Sequence, residues 1–387
     1  MRNRFVLIGV ALLAGSLLPA SGALAQEPTC GSTVSCGQIK SDNTAYGTTA
    51  AEFLLLPATA RGAALGGSYA ALVTDISSVY FNPAGLSQMP RSGLMASTMN
   101  YIASTNYAFA AVGFPFSGGS KALGVSVSNF GFSDQPVYTV EDPTGSSGEV
   151  YSVSETAVGL TYSQQFSDRF AAGLTGKFIN DQLGRVTGHA FAVDFGTSFH
   201  ATIGGRPIRA SFVIQNLGTT LTHTGDALDA LVIRTPPGGQ QQVAQEPARA
   251  TLQTKAWPLP ITFRVAMSYD LFATSASRLS LLGEFTQPND NQPGFNFGGE
   301  YAVSLGTTGF TVAARGGMTY APDNNLKSDS LAAGFVTNFQ EGNLVRYSAG
   351  GGLHYGRGVG FGFGVDYAYR NMGLLGGVSM LTVGLDF

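Results

Sequence analysis

The four histidines, His189, His200, His223 and His354, are the side chains best suited to ligate a metal or carry a proton, and their spacing suits neither. No two stand four residues apart, the spacing that turns two imidazoles toward one zinc ion from a helix. The only cysteines, Cys30 and Cys36, have no histidine nearby to complete a metal site. In an oxidising compartment they would close a small disulfide loop in a mobile N-terminal segment, and two free thiols are the alternative. Glycines recur singly from Gly356 to Gly364 and never form the Gly-x-Gly-x-x-Gly of a phosphate-cradling loop. On alternate positions of a strand they would instead leave open space on one face. No nucleophile stands in a recognisable relation to a base, so the chain is read as non-enzymatic, with no cofactor and no metal.

The elements carrying these residues are indicated by composition. Of 387 residues, 44% are hydrophobic, only 12% are charged and 52 are glycine. Soluble domains carry about 25% charged residues and about 7% glycine. The balance of 21 Lys and Arg against 24 Asp and Glu, without a basic run, excludes the electrostatic footprint of a nucleic-acid binder. Mean hydropathy is +0.13, too low for a bundle of membrane helices. A transmembrane β-barrel fits, because only every second residue of each strand meets lipid.

Alternation supports this fold class. Phe361, Phe363, Val365, Tyr367 and Tyr369 share one parity, and Gly362, Gly364, Asp366, Ala368 and Arg370 the other. Successive side chains of a strand point to opposite faces, so the first set is expected to face lipid and the second the lumen. The last segment repeats the rule, with Leu381, Val383, Leu385 and Phe387 against Thr382, Gly384 and Asp386. Asp194, Arg264, Asp270, Glu284, Glu300, Arg315 and Arg346 also take the parity opposite the bulky apolar residues of their segments. An Arg or Lys facing mid-bilayer would cost about 2 to 4 kcal/mol, so a barrel demands that placement.

Fifteen alternating segments can be drawn, from 92 to 102 at the start to 377 to 387 at the end, with one at 330 to 339. Single-chain bacterial barrels have even strand numbers. Either two early segments are one element, or the connection from Leu217 to Pro258 hides a sixteenth. The long connections at 133 to 150 and 218 to 258 are expected outside the cell. The second, with its Pro-Pro-Gly-Gly-Gln-Gln-Gln stretch at 236 to 242, reads as a mobile surface loop.

The first 25 residues read as a signal peptide. Arg2 and Arg4 precede an apolar run from Phe5 to Leu18, and Ala23-Leu24-Ala25 supplies the small residues before a cut ahead of Gln26. Residues 26–45 are expected to be mobile, 46–91 to form a compact N-terminal hatch, and 92–387 to form the barrel.

The stretch 46–91 lacks strand alternation and is rich in small residues. It contains Glu52-Phe53-Leu54, then Ala60-Arg61-Gly62-Ala63-Ala64-Leu65-Gly66-Gly67, then Asp75, then Asn82-Pro83-Ala84-Gly85-Leu86. With Asp366-Tyr367-Ala368-Tyr369, Leu374 and Gly376 near the other end, it resembles the PorV/PorQ family within the FadL-like superfamily of outer-membrane barrels. That resemblance implies fourteen strands and a hatch inside the barrel containing Asn82, Pro83, Ala84 and Gly85, packed through Arg61, Gly62, Gly66, Gly67 and Asp75. The Asn82-Pro83 pair suits a rigid turn in a narrow space. Arg61 either pairs with a luminal carboxylate or faces luminal water. Phe387 resembles the terminal aromatic by which outer-membrane barrels are recognised for assembly.

Two functions are implied. One is a shuttle in type IX-like protein secretion, with secreted cargo proteins or a translocon as partners. The other is a FadL-like transporter of long-chain fatty acids or other hydrophobic small molecules. Either would sit among the lipids of the outer membrane.

Overall fold

The computed structural model describes residues 47–140, 142–232, 247–320, 345–356 and 360–387. The signal peptide, the 26–45 segment, Cys30, Cys36, the stretch 236 to 242 and the segment at 330 to 339 lie outside the described residues.

Fourteen antiparallel strands form a closed wall. They are β1 (Gly93–Asn100), β2 (Asn106–Phe116), β3 (Lys121–Pro136), β4 (Val150–Ser167), β5 (Phe170–Leu183), β6 (Val186–Ile203) and β7 (Arg206–Gly218), followed by β8 (Thr262–Ala273), β9 (Ser277–Pro288), β10 (Gly294–Ser304), β11 (Phe310–Tyr320), β12 (Val345–Gly356), β13 (Gly362–Asn371) and β14 (Gly377–Asp386). Each pairs with its chain neighbour, and β1 pairs with β14 from Gly93↔Asp386 to Asn100↔Ser379, which closes the ring. Closure leaves no edge strand to be satisfied in lipid.

The count of fifteen segments is corrected by two pairings. Strand β11 pairs directly with β12, from Phe310↔Tyr355 to Tyr320↔Val345, so no wall strand stands between them where 330 to 339 was drawn. Strand β7 pairs directly with β8, so the connection between them hides no sixteenth. The described parts of that connection, 219–232 and 247–261, are paired rather than open. Asp229–Val232 pairs with Ala248–Thr251, Leu221 bridges to Trp257, and His223–Thr224 adds to the end of β6. Leu221 and Leu259 are buried, so apolar residues within a polar stretch anchor it to the barrel mouth.

Burial follows parity. In β1 buried and exposed residues alternate without a break, and Phe191, Tyr347, Tyr367, Leu381 and Val383 stand exposed on the outside. Asp194, Asp270, Glu284, Glu300, Arg264, Arg315 and Asp366 are buried inside. An outer surface of aromatic and branched residues is the face of a membrane-spanning barrel.

The two ends differ. The strand ends Pro136 and Val150, Gly218 and Thr262, and Tyr320 and Val345, each pair separated by more than ten residues of chain, lie at one end, called here the long-loop end. Gly93, Asp386 and the tight turns such as Gly204-Gly205 lie at the other.

Residues 47–92 run within the wall as short helical turns: a 3-10 turn Glu52–Leu55, α1 (Ala60–Ala64), α2 (Ser78–Phe81) and a 3-10 helix Pro83–Gln88. Helix α1 packs on β11 to β14, whereas Pro83–Gln88 packs on β2 to β6, so the segment reaches opposite sides of the ring. Its core is apolar. Leu65, Tyr69, Phe81 and Leu86 are almost fully buried, and Phe81 meets Tyr69 and Tyr80 edge to face at 5.2 and 4.8 Å.

Candidate functional site: the luminal segment and the cavity beside it

The segment is fastened to the wall by charge on one side and by glycine notches on the other. Thr59 caps α1 by accepting a hydrogen bond from Gly62 N, which sets Arg61 toward β10. Arg61 Nε and Nη2 each donate to Glu300 at 2.8 Å, and Nη1 donates to Asp75 at 3.0 Å. This is bidentate recognition of a carboxylate, the geometry that suits a planar guanidinium. Glu300 also accepts from Arg315 at 2.7 Å and Arg278 at 2.9 Å, and Arg315 reaches Asp366 at 2.6 Å. Asp75 turns back on its own segment, accepting from the Tyr69 hydroxyl at 2.8 Å and from Ser77 N at 2.9 Å. Burial pushes the Tyr69 hydroxyl well above its usual pKa, so it stays a donor.

Gly62 and Gly66 occupy places where a Cβ would collide, and Gly67 has room for one but a φ of +88° that favours glycine. A Cβ on Gly62 would lie 2.1 Å from the Phe81 ring. Gly66 has φ +68° with its Cβ position 2.9 Å from Met318 N, so both backbone and space require glycine. Gly67 O accepts from Arg264 Nη2 at 2.8 Å, while Arg264 Nε holds Glu284 at 2.6 Å.

Asn82 serves the opposite side. Its side-chain oxygen accepts from Ala84 N at 3.1 Å, capping the 3-10 helix that Pro83 opens. Its amide donates to Ala70 O at 2.9 Å and, across to β6, to Thr197 O at 3.1 Å. Ala84 O accepts from Ser163 of β4 at 3.0 Å. A Cβ on Gly196 would lie 2.2 Å from Asn82 Oδ1, and one on Gly173 would lie 2.4 Å from Pro83 C. The Asn-Pro-Ala turn therefore sits in a notch made by two wall glycines. Gly85 is equally confined, its Cβ position being 2.4 Å from Val73 O.

Spaces lie toward both ends of the barrel, and the segment borders two of them. At the long-loop end a cavity of about 270 Å³ is bounded by Gly66, Gly67, Tyr80 and Phe81 of the segment and by Arg264, Glu284 and Arg370 of the wall. Leu55, Pro57 and Glu52 rim it. At the short-turn end, spaces of about 450 and 220 Å³ adjoin Arg169 and His200. Gln88 at the end of the segment borders the smaller of these and donates to Ser198 at 3.2 Å.

Phe387 lies apart from this region, exposed at the short-turn end with its N–H donating to Ser92 O at 2.9 Å. The histidines are dispersed: His354 meets Asp366 at 3.0 Å, His223 meets Asp181 at 3.1 Å, His200 meets Ser198 at 3.1 Å and His189 stacks on Phe178. Among the described residues no group of three or more His, Cys, Asp or Glu could hold a metal ion.

Sequence reasoning placed Arg264, Glu284, Glu300, Arg315 and Arg370 on the inner face but did not join them to the segment. Their shared parity shows the face, and only the barrel's register shows which of them meet. Tyr80 and Phe81, which form the cavity floor, carry no signal beyond preceding Asn82.

No family model matches the chain, and no curated protein matches it. Among solved structures it is similar to the monoaromatic hydrocarbon channel CymD, at 12% identity and TM-score 0.49, covering 86% of this chain and 98% of that one. It is also similar to the toluene transporter TodX of Pseudomonas putida, at 10% identity and TM-score 0.48, with coverage of 86% and 98%. A FadL homologue from Pseudomonas aeruginosa is similar at 9% identity and TM-score 0.44, with coverage of 84% and 97%.

Proposed function

We propose that the chain is an outer-membrane transport protein of the FadL-like type for apolar small molecules, in which residues 46–91 act as a hatch across the lumen. The observation that carries this reading is the two-sided placement of the segment. A cavity of about 270 Å³ lies at its long-loop face and one of about 220 Å³ at its short-turn face beside Gln88, so a solute crossing the barrel must displace the segment or pass around it. Bacterial barrels keep their long loops outside, so the 270 Å³ cavity is the external vestibule. Leu55, Pro57, Tyr80 and Phe81 give it an apolar side, and the rest of its lining is polar or charged, including Glu52, Arg264, Glu284, Asp290 and Arg370.

Of the two functions implied by sequence resemblance, transport suits this vestibule better than PorV-like shuttling in a type IX system. A space of 270 Å³ accepts a small molecule and not a folded cargo protein. In this reading Asn82, Pro83, Ala84 and Gly85 seat the hatch, Arg61 and Asp75 latch it, Gly62, Gly66 and Gly67 let it pack, and Phe387 is the assembly signal. The protein's partners are then outer-membrane lipids and its solute.

Accumulation of radiolabelled toluene by Gram-negative cells, whose lipopolysaccharide leaflet slows its entry, with and without the full chain tests the proposal. Faster accumulation with the chain supports it, and equal rates refute it. Capture of stoichiometric secreted proteins by the intact barrel, lost on deleting residues 221 to 256, would favour the shuttle instead.

A further inference from the structure

The luminal arginines divide into two groups. Arg61, Arg209, Arg264, Arg278 and Arg315 each reach a carboxylate within 3.1 Å. Among the described residues, Arg346 and Arg370 make no ion pair, although parity turns both inward. Buried or half-buried guanidinium groups are costly without a counter-charge, so the other luminal arginines show the usual arrangement and these two depart from it.

Their positions strengthen the contrast. Ser348 pairs with Arg370 across β12 and β13, so Arg346, two residues along on the same face, is the diagonal neighbour of Arg370. Arg346 is the first charge that Arg370 feels, and it repels. Arg346 Nε is buried and finds no acceptor among the described residues. Adjacent like charges raise the cost of each, and a single anion between them would offset both.

Arg370 also stands where two spaces meet. It lines the 270 Å³ vestibule and a smaller apolar crevice of about 20 Å³ beside Leu56, Met99, Met372 and Met380, and Pro57 borders both. The vestibule is a little below the range of about 300 to 1,000 Å³ that takes drug-sized ligands, so its occupant is a single ring or a short chain. The crevice has room for about one methyl-sized group.

We propose that the vestibule selects small organic acids, the carboxylate held by Arg370 with Arg346 behind it and the apolar body lying over Tyr80, Phe81, Leu55 and Pro57. The guanidinium fork matches a carboxylate in two parallel hydrogen bonds. An aromatic ring resting on Tyr80 and Phe81 would hold that carboxylate in place. This inference rests on the transport reading and narrows its substrate class from apolar molecules in general to acids of limited size.

The test compares benzoate with benzyl alcohol, which has the same ring and no charge. Binding to the full chain in detergent micelles is measured by calorimetry, and uptake in proteoliposomes. The native protein is expected to bind benzoate at least about tenfold more tightly than benzyl alcohol. Arg370→Gln should remove that preference, with Arg370→Lys intermediate because an ammonium gives the charge without the fork. Equal binding of the two ligands by the native protein overturns the inference without need of any variant. Undiminished benzoate binding by assembled Arg370→Gln also overturns it, and would indicate that an acidic side chain of the chain itself already neutralises Arg370. If benzyl alcohol is taken up with no preference for benzoate, the inference fails and the transport reading stands. If neither is taken up, the transport reading fails with it.

Discussion

Arg61 and Glu300 meet fork to fork, one carried by the segment inside the barrel and the other by the wall, and Glu300 is 1% exposed. In the hatch proposal the pair is a latch, and its wall half is supported independently because Arg278 and Arg315 also hold Glu300. Arg61→Gln should leave an assembled, heat-modifiable barrel. The loss should fall below the about 3 to 5 kcal/mol of a buried pair broken outright, since Glu300 keeps two partners. Planar-bilayer recordings should show larger or more frequent openings, and an unchanged trace would mean that Arg61 does not restrain the segment.

Asn82→Ala removes the cap of the 3-10 helix and the bond to Thr197 O on β6. Loss of such a cap costs about 1 kcal/mol. We expect raised leak conductance with the wall intact. Conductance equal to the native value would remove Asn82 from the closing element.

Gly196→Ala attacks the same contact from the wall. Its Cβ would fall 2.2 Å from Asn82 Oδ1, whereas a Cβ on Gly176 meets nothing within 4 Å. Gly196→Ala should expose segment 47–92 to added protease while Gly176→Ala should not. Equal protection of the two variants would show that the notch does not seat the turn.

Glu52 at the rim of the 270 Å³ cavity should make that end of the segment sensitive to pH. Burial pushes its carboxyl up to about 7 from an ordinary 4.5, the charge of Asp290 adds to the rise, and a hydrogen bond from Thr49 opposes it. A raised carboxylate pKa means that the folded state favours the protonated form. The stabilisation is complete below about pH 4.5 and is lost as pH rises through about 7. Residues 47–58 should therefore exchange amide hydrogens more slowly at pH 5 than at pH 8.5, after correction for intrinsic rates. Glu52→Gln should flatten that difference, and a native protein already flat across the window would refute the coupling.

Much of the wall was legible in the sequence because a membrane barrel punishes error. Asp366 and Arg370 alternate with Tyr367 and Tyr369, and one misplaced charge would face lipid. The strand number was not legible, since alternation at 330 to 339 looks like that of β11 or β12 and only the direct pairing of Tyr320 with Val345 excludes a strand between them. Within the lumen, parity identified Glu300 and Arg264 as inward but could not show that one meets Arg61 and the other Gly67 O, because those contacts join residues more than 190 positions apart. Arg346 and Arg370 looked like the other inward arginines until the register placed them side by side.

The hatch proposal takes the first of the two routes, in which segment 47–92 is displaced when a solute crosses rather than passed around. Gln88 of the segment donates to Ser198 of β6 at 3.2 Å, so thiols at the two positions lie within the span of a short bis-methanethiosulfonate bridge. In a chain with Cys30 and Cys36 replaced by serine, Gln88→Cys with Ser198→Cys should speed toluene accumulation by Gram-negative cells when reduced, lose that effect once bridged and regain it with dithiothreitol. Equal accumulation in the bridged and reduced states, with the cross-link confirmed by mass spectrometry, would contradict the account.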